Sequence, residues 1–325
     1  MLYANTGHAP RSRFASPTGP NEIGEAAWYD LIDPTEAERA EVARITGLRV
    51  PTRAETAEIE TSSRLATEAG VLYLSTPMTY PAGDSGMAIA PLGFVLAPGC
   101  LITIRYAEIP VFDDVAERFA GRERPSGASA FLLLFEAIVD RLADVLERVG
   151  LDLQAISQTI FRTDADPERN SNRIDTRLRG TLRAVGRLGE KLADLRDSLI
   201  GVQRIAVYVT EMGGGWIEKD LLHRCSTTQK DIASLMDYDV QLGNKVQFLL
   251  DATLGFINIE QNNGIKVLTV VSVVGVPPTL IASIYGMNFK WIPELQWEYG
   301  YFYGLAVIVL SAFVPLLWFR RRGWI

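Results

Sequence analysis

The first part of the chain carries apolar and polar residues in short alternating runs, which predict a small sheet with two helices. Strands are expected at 26–31, 71–76, 87–97 and 101–106, and helices at 33–46 and 111–120. Asp33 is the predicted N-cap of the first helix, Pro34 its first residue and Gly47 its stop. We therefore expect a mixed α/β domain at 26–125. It should follow a flexible lead-in at 1–25, where small and turn-forming residues cannot bury enough apolar surface to become ordered.

After residue 125 the pattern changes to long apolar stripes at helical spacing. Helices are predicted at 130–160 and 172–212, separated by a breaker that contains Pro167. The region 126–218 is therefore expected to form long helices, and a third helix should begin near Lys219.

The third helix carries a heptad-like seam. Its members are Ile232, Leu235, Asp239, Leu242, Val246, Leu249, Thr253 and Phe256. No proline interrupts the sequence from Leu221 until Pro277, so a single helix can run from 219 to 285. Such a stalk helix needs packing partners along its length.

Two uncharged apolar runs near the C-terminal end, 267–285 and 299–319, are each long enough to cross a bilayer. We therefore predict a membrane hairpin with an outer loop at 286–298 and a basic tail at 320–325. Lys266 precedes the first span and three arginines follow the second, which predicts that both termini are cytoplasmic. The expected interfacial anchors are Trp291, Trp297, Tyr299, Tyr301 and Tyr303 outside, and Trp318 and Trp324 inside.

A polar line runs along one face of the stalk helix and into the first span. The predicted pore-lining residues are Asp251, Asn258, Asn262, Ile265, Leu268, Thr269, Ser272, Val276, Thr279 and Ser283. Serine and threonine at this depth could instead mediate helix contacts, but the line continues into asparagines and Asp251, which favours a pore. Ile265, Leu268 and Val276 could form a gate that closes by dewetting. Two spans cannot enclose a pore, so the chain must oligomerise.

The composition of the chain disfavours several classes of function. The net charge of -7 argues against a nucleic-acid partner and suits a protein that gathers cations. The two cysteines, Cys100 and Cys225, indicate no disulfide framework, and the two histidines are a poor supply for a zinc site. No signal peptide is expected near the N-terminus.

A known family shares the residues at the outer end of the hairpin. These are Tyr285, Gly286, Met287, Asn288 and Phe289, followed by Pro293, Glu294 and Leu295. Their placement between two C-terminal spans resembles the CorA magnesium transport family, as does the segment 251–256. Ile292 departs from the methionine expected there. The resemblance implies a homopentamer in the inner membrane that conducts Mg²⁺, and Co²⁺ as a second cargo, with the first span lining the pore.

The chemistry of Mg²⁺ assigns a selectivity filter to Gly286, Met287 and Asn288. Mg²⁺ sheds its waters reluctantly, so neutral amide and carbonyl oxygens can hydrogen-bond to the hydrated ion. Gly286 should free the backbone to turn its carbonyls inward. The alternative is that Gly286 and Asn288 simply cap the first span, and both roles can coexist. Pro277 and Pro278 form either a hinge or an exposed carbonyl for the ion, and the alternative is a packing kink.

Gating is implied by the resemblance alone, as cytosolic Mg²⁺ bound by carboxylates between neighbouring subunits. The candidate regulatory ligands are Asp220, Asp231, Asp237 and Asp239. The alternative is a solvated helix face. The sequence has neither a Walker-type loop nor an acidic pair within the spans, so we expect passive, potential-driven influx and no enzyme activity.

Two other functions are less consistent with the sequence. A zinc-preferring relative is disfavoured by Met287, since that branch tends to vary this position. A membrane-anchored sensor with a coiled stalk would have no use for Asn288 at the outer mouth.

Overall fold

A computed structural model describes residues 1–5, 12–13, 26–58, 60, 64–83, 86–120, 125–161, 171–288, 290 and 292–324. It contains two compact units, one comprising 1–163 with 183–250 and the other 164–182 with 251–325.

The first unit is built on a mixed sheet of seven strands. They are β1 Leu2–Asn5, β2 Ser12–Arg13, β3 Trp28–Ile32, β4 Leu65–Glu68, β5 Val71–Pro81, β6 Met87–Leu96 and β7 Leu101–Arg105. Their order across the sheet is β2-β1-β3-β7-β6-β5-β4. Only the β3–β7 pair is parallel among these strands, and β6 and β7 form the hairpin in which Leu96 pairs with Leu101. The predicted small sheet is confirmed.

The helices match the sequence pattern closely. They are α1 Glu36–Thr46, α2 Arg53–Ala57, α3 Val111–Phe119, α4 Gly127–Phe161, α5 Ser171–Met212, α6 Lys219–Tyr285 and α7 Gly300–Arg321. Short 3-10 turns lie at Gly213–Gly215 and Pro293–Gln296. The predicted fold class is confirmed: a mixed α/β part is followed by long helices and two C-terminal apolar helices.

Two local predictions were wrong. The N-cap of α1 is Thr35 rather than Asp33, because Thr35 and Glu38 form a reciprocal capping box. Part of the predicted lead-in is β1, which pairs with β3 from Leu2 with Leu31 to Asn5 with Trp28. Residues 6–11 and 14–25 of the lead-in, and the breaker at Pro167, lie outside the described residues.

A polar network lies in the core of the sheet. Asp30 and Arg105 form a fully buried ion pair with an Nη2–Oδ2 distance of 2.9 Å. The Thr103 hydroxyl donates to Asp30 Oδ1 at 2.7 Å and accepts from Trp28 Nε1 at 3.0 Å. The guanidinium of Arg105 also lies 4.4 Å above the ring centre of Phe112. Because the partners satisfy both carboxylate oxygens, the charge can remain buried.

The long helices of the first unit pack through the predicted seam. Ile232, Leu242 and Leu249 on α6 are buried, and so is the polar seam residue Asp239. Arg224 on α6 makes a two-pronged contact with the Glu136 carboxylate on α4, at 3.1 and 2.6 Å. This contact ties the start of the stalk helix to α4.

The second unit contains the C-terminal part of α6, and α7. Both helices are long and apolar enough to cross a membrane. Large apolar side chains on them are exposed, including Leu268 at 68% and Phe302 at 69%. Transferring such side chains from water to an apolar medium is worth about 1.5–3 kcal/mol each, so this surface suits a bilayer. Near the loop, the Tyr285 ring lies 3.9 Å from the position of a Cβ on Gly304.

Candidate ion pathway

The Gly-Met-Asn triplet follows directly on the last residue of α6. The Gly286 N–H donates to the Ala282 carbonyl at 3.0 Å, and the Met287 N–H donates to the Ile284 carbonyl at 3.2 Å. These bonds satisfy carbonyls that a helix end leaves open, so the capping role is present. Gly286 does not adopt a positive φ.

Asn288 lies just beyond this cap, and its side chain is exposed. Its amide can therefore face an ion or a neighbouring chain. The predicted motif residue Phe289 and the predicted anchor Trp291 lie outside the described residues.

The loop after the triplet is held against the start of α7. Pro293–Gln296 forms a 3-10 turn with proline at its start. A Cβ on Gly300 would overlap the Glu294 carbonyl oxygen, so the turn and α7 approach as closely as only glycine allows. The rings of Trp297 and Tyr303 lie 5.5 Å apart. These contacts give the loop a fixed base at the start of α7.

The predicted polar line is exposed along almost its whole length. Asp251, Asn258, Asn262, Ile265, Leu268, Ser272, Val276, Thr279 and Ser283 are exposed, and Thr269 is half-buried. The Thr269 hydroxyl donates to the Ile265 carbonyl at 2.8 Å, and the Thr279 hydroxyl to the Val276 carbonyl at 2.8 Å. Each hydroxyl hydrogen is thus satisfied within the helix, which leaves the oxygen lone pairs as acceptors on the exposed face.

The two prolines do not interrupt α6, which is helical on both sides of Pro277 and Pro278. Because proline has no N–H, the carbonyls of Val273 and Val274 receive no i to i−4 hydrogen bond from them. These two backbone oxygens lie in the middle of the predicted span, where the exposed-carbonyl alternative would place them.

Basic and aromatic residues meet at the other end of the hairpin. The Arg322 guanidinium lies 4.7 Å from the ring centre of Trp318, and the rings of Phe319 and Trp324 stack 5.3 Å apart. Gly323 has a φ of +69° and turns the chain back after α7. This arrangement is typical of an interfacial anchor.

The four candidate regulatory aspartates do not form a cluster. Asp220, Asp231 and Asp237 are exposed, whereas Asp239 is 2% exposed. Within the described part of the chain, no three His, Cys, Asp or Glu residues lie together as a group that could hold a metal ion.

Asp239 already has a partner. Its Oδ2 accepts a hydrogen bond from Arg196 Nε at 2.6 Å, while its buried Oδ1 has no partner among the described residues. Burial raises the pKa of Asp239, and the hydrogen bond and charge of Arg196 lower it by less. The sequence offered no sign of this pair, because Arg196 lies on α5 and an interhelical contact cannot be deduced from the spacing within α6.

The family model of the CorA-like Mg²⁺ transporter protein matches residues 24–321. The chain belongs to this family. The family comprises membrane transporters rather than enzymes, so the predictions of a membrane protein and of no enzyme activity are confirmed.

Curated CorA proteins match nearly the whole chain. The magnesium transport protein CorA of Yersinia pseudotuberculosis is 34% identical over 307 residues, which are 94% of each chain. That of Salmonella typhimurium is 33% identical over 306 residues, 93% of this chain and 92% of its own. The solved CorA magnesium transporter of Methanocaldococcus jannaschii covers 100% of this chain and 99% of its own, with a TM-score of 0.77 and 19% identity. At that identity the likeness supports the CorA fold alone.

Proposed function

We propose that the chain is a passive Mg²⁺ channel that admits Co²⁺ as a second cargo. The observation that carries this proposal is the exposed polar line of α6, which leads along the first apolar helix to Asn288. The magnesium transport named for the Yersinia and Salmonella relatives supports Mg²⁺ as the main cargo.

The pore is formed by a homopentamer, with α6 of each chain on the inside. An exposed line of asparagine, serine and threonine is costly against lipid, because hydrocarbon offers its polar atoms no partners. Around a shared axis the same line faces water. The apolar residues Ile265, Leu268 and Val276 lie on or beside the line and are exposed, so they can narrow the pore as a hydrophobic gate.

Selection takes place at a ring of Asn288 side chains. Amide oxygens are neutral, so they can accept hydrogen bonds from the waters of a hydrated Mg²⁺ without binding the ion too tightly to release it. The fixed base of the outer loop supports this role, because a selective ring must hold its oxygens at a constant radius. The backbone carbonyls of Gly286 and Met287 complete the filter.

The membrane potential drives the ion inward. The hairpin is oriented with both termini in the cytoplasm of a cell whose inner membrane it spans, because Lys266 and the arginines of the tail lie at one end. The free energy of a divalent ion falls by about 4.6 kcal/mol per 100 mV when the ion moves toward the negative side.

Cytosolic Mg²⁺ closes the channel by binding between subunits. Asp220, Asp231 and Asp237 are the candidate ligands, since they are exposed and on the part of α6 nearest the start of the stalk. Asp239 is the least suited, because a metal ion would have to displace Arg196.

A zinc-preferring function is a weaker candidate, since Met287 and the scarcity of histidine disfavour it. A sensor with a passive anchor does not account for a polar line on a membrane helix.

Ion flux into proteoliposomes tests the proposal. Purified full-length protein should load Mg²⁺ into vesicles when a potassium gradient with valinomycin makes the interior negative, and uptake should become slower and reach a lower final level when the potential is collapsed. Hexaamminecobalt, which resembles a hydrated cation with fixed ligands, should block uptake from the side of the outer loop. Uptake that ignores the potential, or zinc uptake faster than magnesium uptake, would overturn the proposal.

A further inference from the structure

The N-terminal half of α5 carries a strongly basic surface. Arg177, Arg179, Arg183 and Arg187 are all exposed, and no Asp or Glu occurs in the stretch 176–189. The last three arginines lie four residues apart, so they form one stripe along the helix. Like charges at this spacing repel one another, and a nearby anionic surface relieves that repulsion. The proposed Mg²⁺ pathway gives this surface no role.

The packing of α5 on α6 fixes the height of each arginine along the stalk helix. Three contacts pair Gly189 with Val246, Leu192 with Gly243, and Arg196 with Asp239. The position of a Cβ on each glycine lies 3.3 and 3.9 Å from the side chain of its partner, and Arg196 Nε lies 2.6 Å from Asp239 Oδ2. Each step along α5 is matched by an equal step back along α6. The two helices are therefore antiparallel with a constant register.

The same register brings Arg177 level with Asn258 and Arg179 level with Phe256, because both helices continue unbroken. Both arginines also belong to the same compact unit as the two apolar segments. The basic end of α5 therefore lies beside the part of α6 that leads into the first span.

The remaining distance to the membrane is short. The uncharged run of α6 begins at Val267. At 1.5 Å per residue, Arg177 and Arg179 are about 14–16 Å from the level of the hydrocarbon core. Headgroups fill about 5–7 Å of that distance, and the rest is close to one Debye length at physiological salt. A long arginine side chain spans much of this gap.

The side of α6 that contacts α5 is not the side that carries the polar line. At 100° per residue, the residues that pair with α5 lie about 120° around the helix from Asp251 and Asn258. Thr253 lies on the α5 side and is fully buried, whereas Asp251 and Asn258 are exposed. The arginines of α5 are thus outside the proposed pore, on the side where lipid surrounds the assembly.

We propose that the basic end of α5 binds anionic phospholipid headgroups of the leaflet next to Lys266, which is the inner leaflet in the proposed orientation. Arg177 and Arg179 contact the phosphates, because a guanidinium matches phosphate oxygens with two parallel hydrogen bonds. Arg183 adds attraction from farther away. The inference requires that the hairpin cross the bilayer, and it does not depend on which ion is conducted.

Hydrogen exchange of the backbone amides at 176–182 tests this contact. Full-length protein is placed in nanodiscs of phosphatidylcholine alone, or of phosphatidylcholine mixed with phosphatidylglycerol. Exchange should be about fivefold slower with phosphatidylglycerol, since two basic residues about one Debye length from an anionic surface contribute on this scale. The slowing should weaken at high salt. Arg177→Gln with Arg179→Gln should abolish it, whereas Arg177→Lys with Arg179→Lys should preserve most of it.

Arg187→Gln with Arg204→Gln is the matched control. It removes the same charge from exposed positions on the same helix, roughly 12 and 38 Å farther along it than Arg179. The slowing by phosphatidylglycerol should persist in this variant. Each variant is compared with itself in the two lipids, so any change in helix stability caused by the substitutions cancels.

Three results would overturn the proposal. The first is equal exchange of the wild type in both lipids, which would show that a neighbouring chain or solvent covers the arginines. The second is a lipid effect that persists in Arg177→Gln with Arg179→Gln. The third is equal slowing by millimolar inorganic phosphate in phosphatidylcholine alone, which would show a site for a soluble anion.

Discussion

Two buried aspartates of the first unit differ in how well their charge is compensated. Both oxygens of Asp30 accept hydrogen bonds, from Arg105 and Thr103, deep in the sheet. Asp239 has one bonded oxygen and one without a partner among the described residues, and the side chain of its partner Arg196 is 47% exposed. Water screens an exposed guanidinium, so Arg196 repays less of the cost of burying the carboxylate. The buried charge of Asp239 therefore lowers the stability of the seam.

The raised pKa of Asp239 predicts a pH-dependent stability. Above its folded-state pKa the buried group is charged and destabilises the fold. As pH falls through that pKa toward the ordinary value of about 3.9, the native state takes up a proton that the unfolded state does not, so the wild type gains stability. The Asp239→Asn side chain is neutral throughout this pH range, so it takes up no proton and its contribution to stability does not change with pH. The thermal midpoint of Asp239→Asn minus that of the wild type should be positive at pH 7.5 and should shrink toward pH 5.

Subtracting the two midpoints removes the effect of every other titrating group. If the difference grew as pH fell, Arg196 would outweigh burial, and the pKa of Asp239 would be lowered instead.

At the scale of elements, the spacing of apolar residues predicted the long, regular helices. The span of α6 followed from a seam without proline and then an uncharged run, two signals that agree over the whole helix. The features that the sequence did not predict correctly are short. β1 has four residues, and its pairing with β3 is a tertiary contact that leaves no local periodicity. The cap of α1 moved from Asp33 to Thr35 because the choice depends on a side-chain bond to Glu38 rather than on residue type.

The candidate site likewise has a part that the sequence predicted and a part that it did not. The triplet at Gly286–Asn288 and the polar line were visible because they depend on order along one helix. The Arg196–Asp239 pair joins residues that are far apart in sequence, so it could be found only in the structure.

The packing of α5 on the sheet predicts opposite effects for two glycine substitutions. Gly201 is buried against β5, where a Cβ would overlap the Thr76 hydroxyl, so Gly201→Ala should lower the thermal midpoint of the full-length protein by forcing the helix and strand apart. Gly186 lies on the same helix with open space around its Cβ position. Gly186→Ala should raise the midpoint, since alanine stabilises a helix by up to about 1 kcal/mol relative to glycine. Similar shifts at both sites would contradict this packing.

At the scale of the whole molecule, the proposed pathway needs more than one chain. Its two apolar helices expose both lipid-like surface and a polar line, and only an assembly places each against a matching medium. The proposed pentamer turns single exposed residues into rings.

Asp251 provides a test of that arrangement. In a pentamer it forms a ring of negative charge at the cytosolic side of the pore, which concentrates cations there. Asp251→Ala should lower Mg²⁺ conductance in planar bilayers by about threefold at low ionic strength, and by less at high salt because charges are screened. Asp140→Ala removes an exposed carboxylate from α4 and should have no effect. A loss of conductance that is independent of salt would contradict a role for charge.

The proposed selection of hydrated Mg²⁺ depends on Asn288, whose neutral amide oxygens accept hydrogen bonds from the waters of the ion. It is tested most directly by Mg²⁺ uptake into proteoliposomes with the wild type, Asn288→Ala and Asn288→Asp, each shown to assemble to the same size in detergent. Loss of hydrogen bonds to a charged species predicts that Asn288→Ala takes up Mg²⁺ at least about tenfold more slowly. Asn288→Asp should bind the ion more tightly and show altered selectivity or block. Wild-type uptake rates and selectivity in Asn288→Ala would contradict the account.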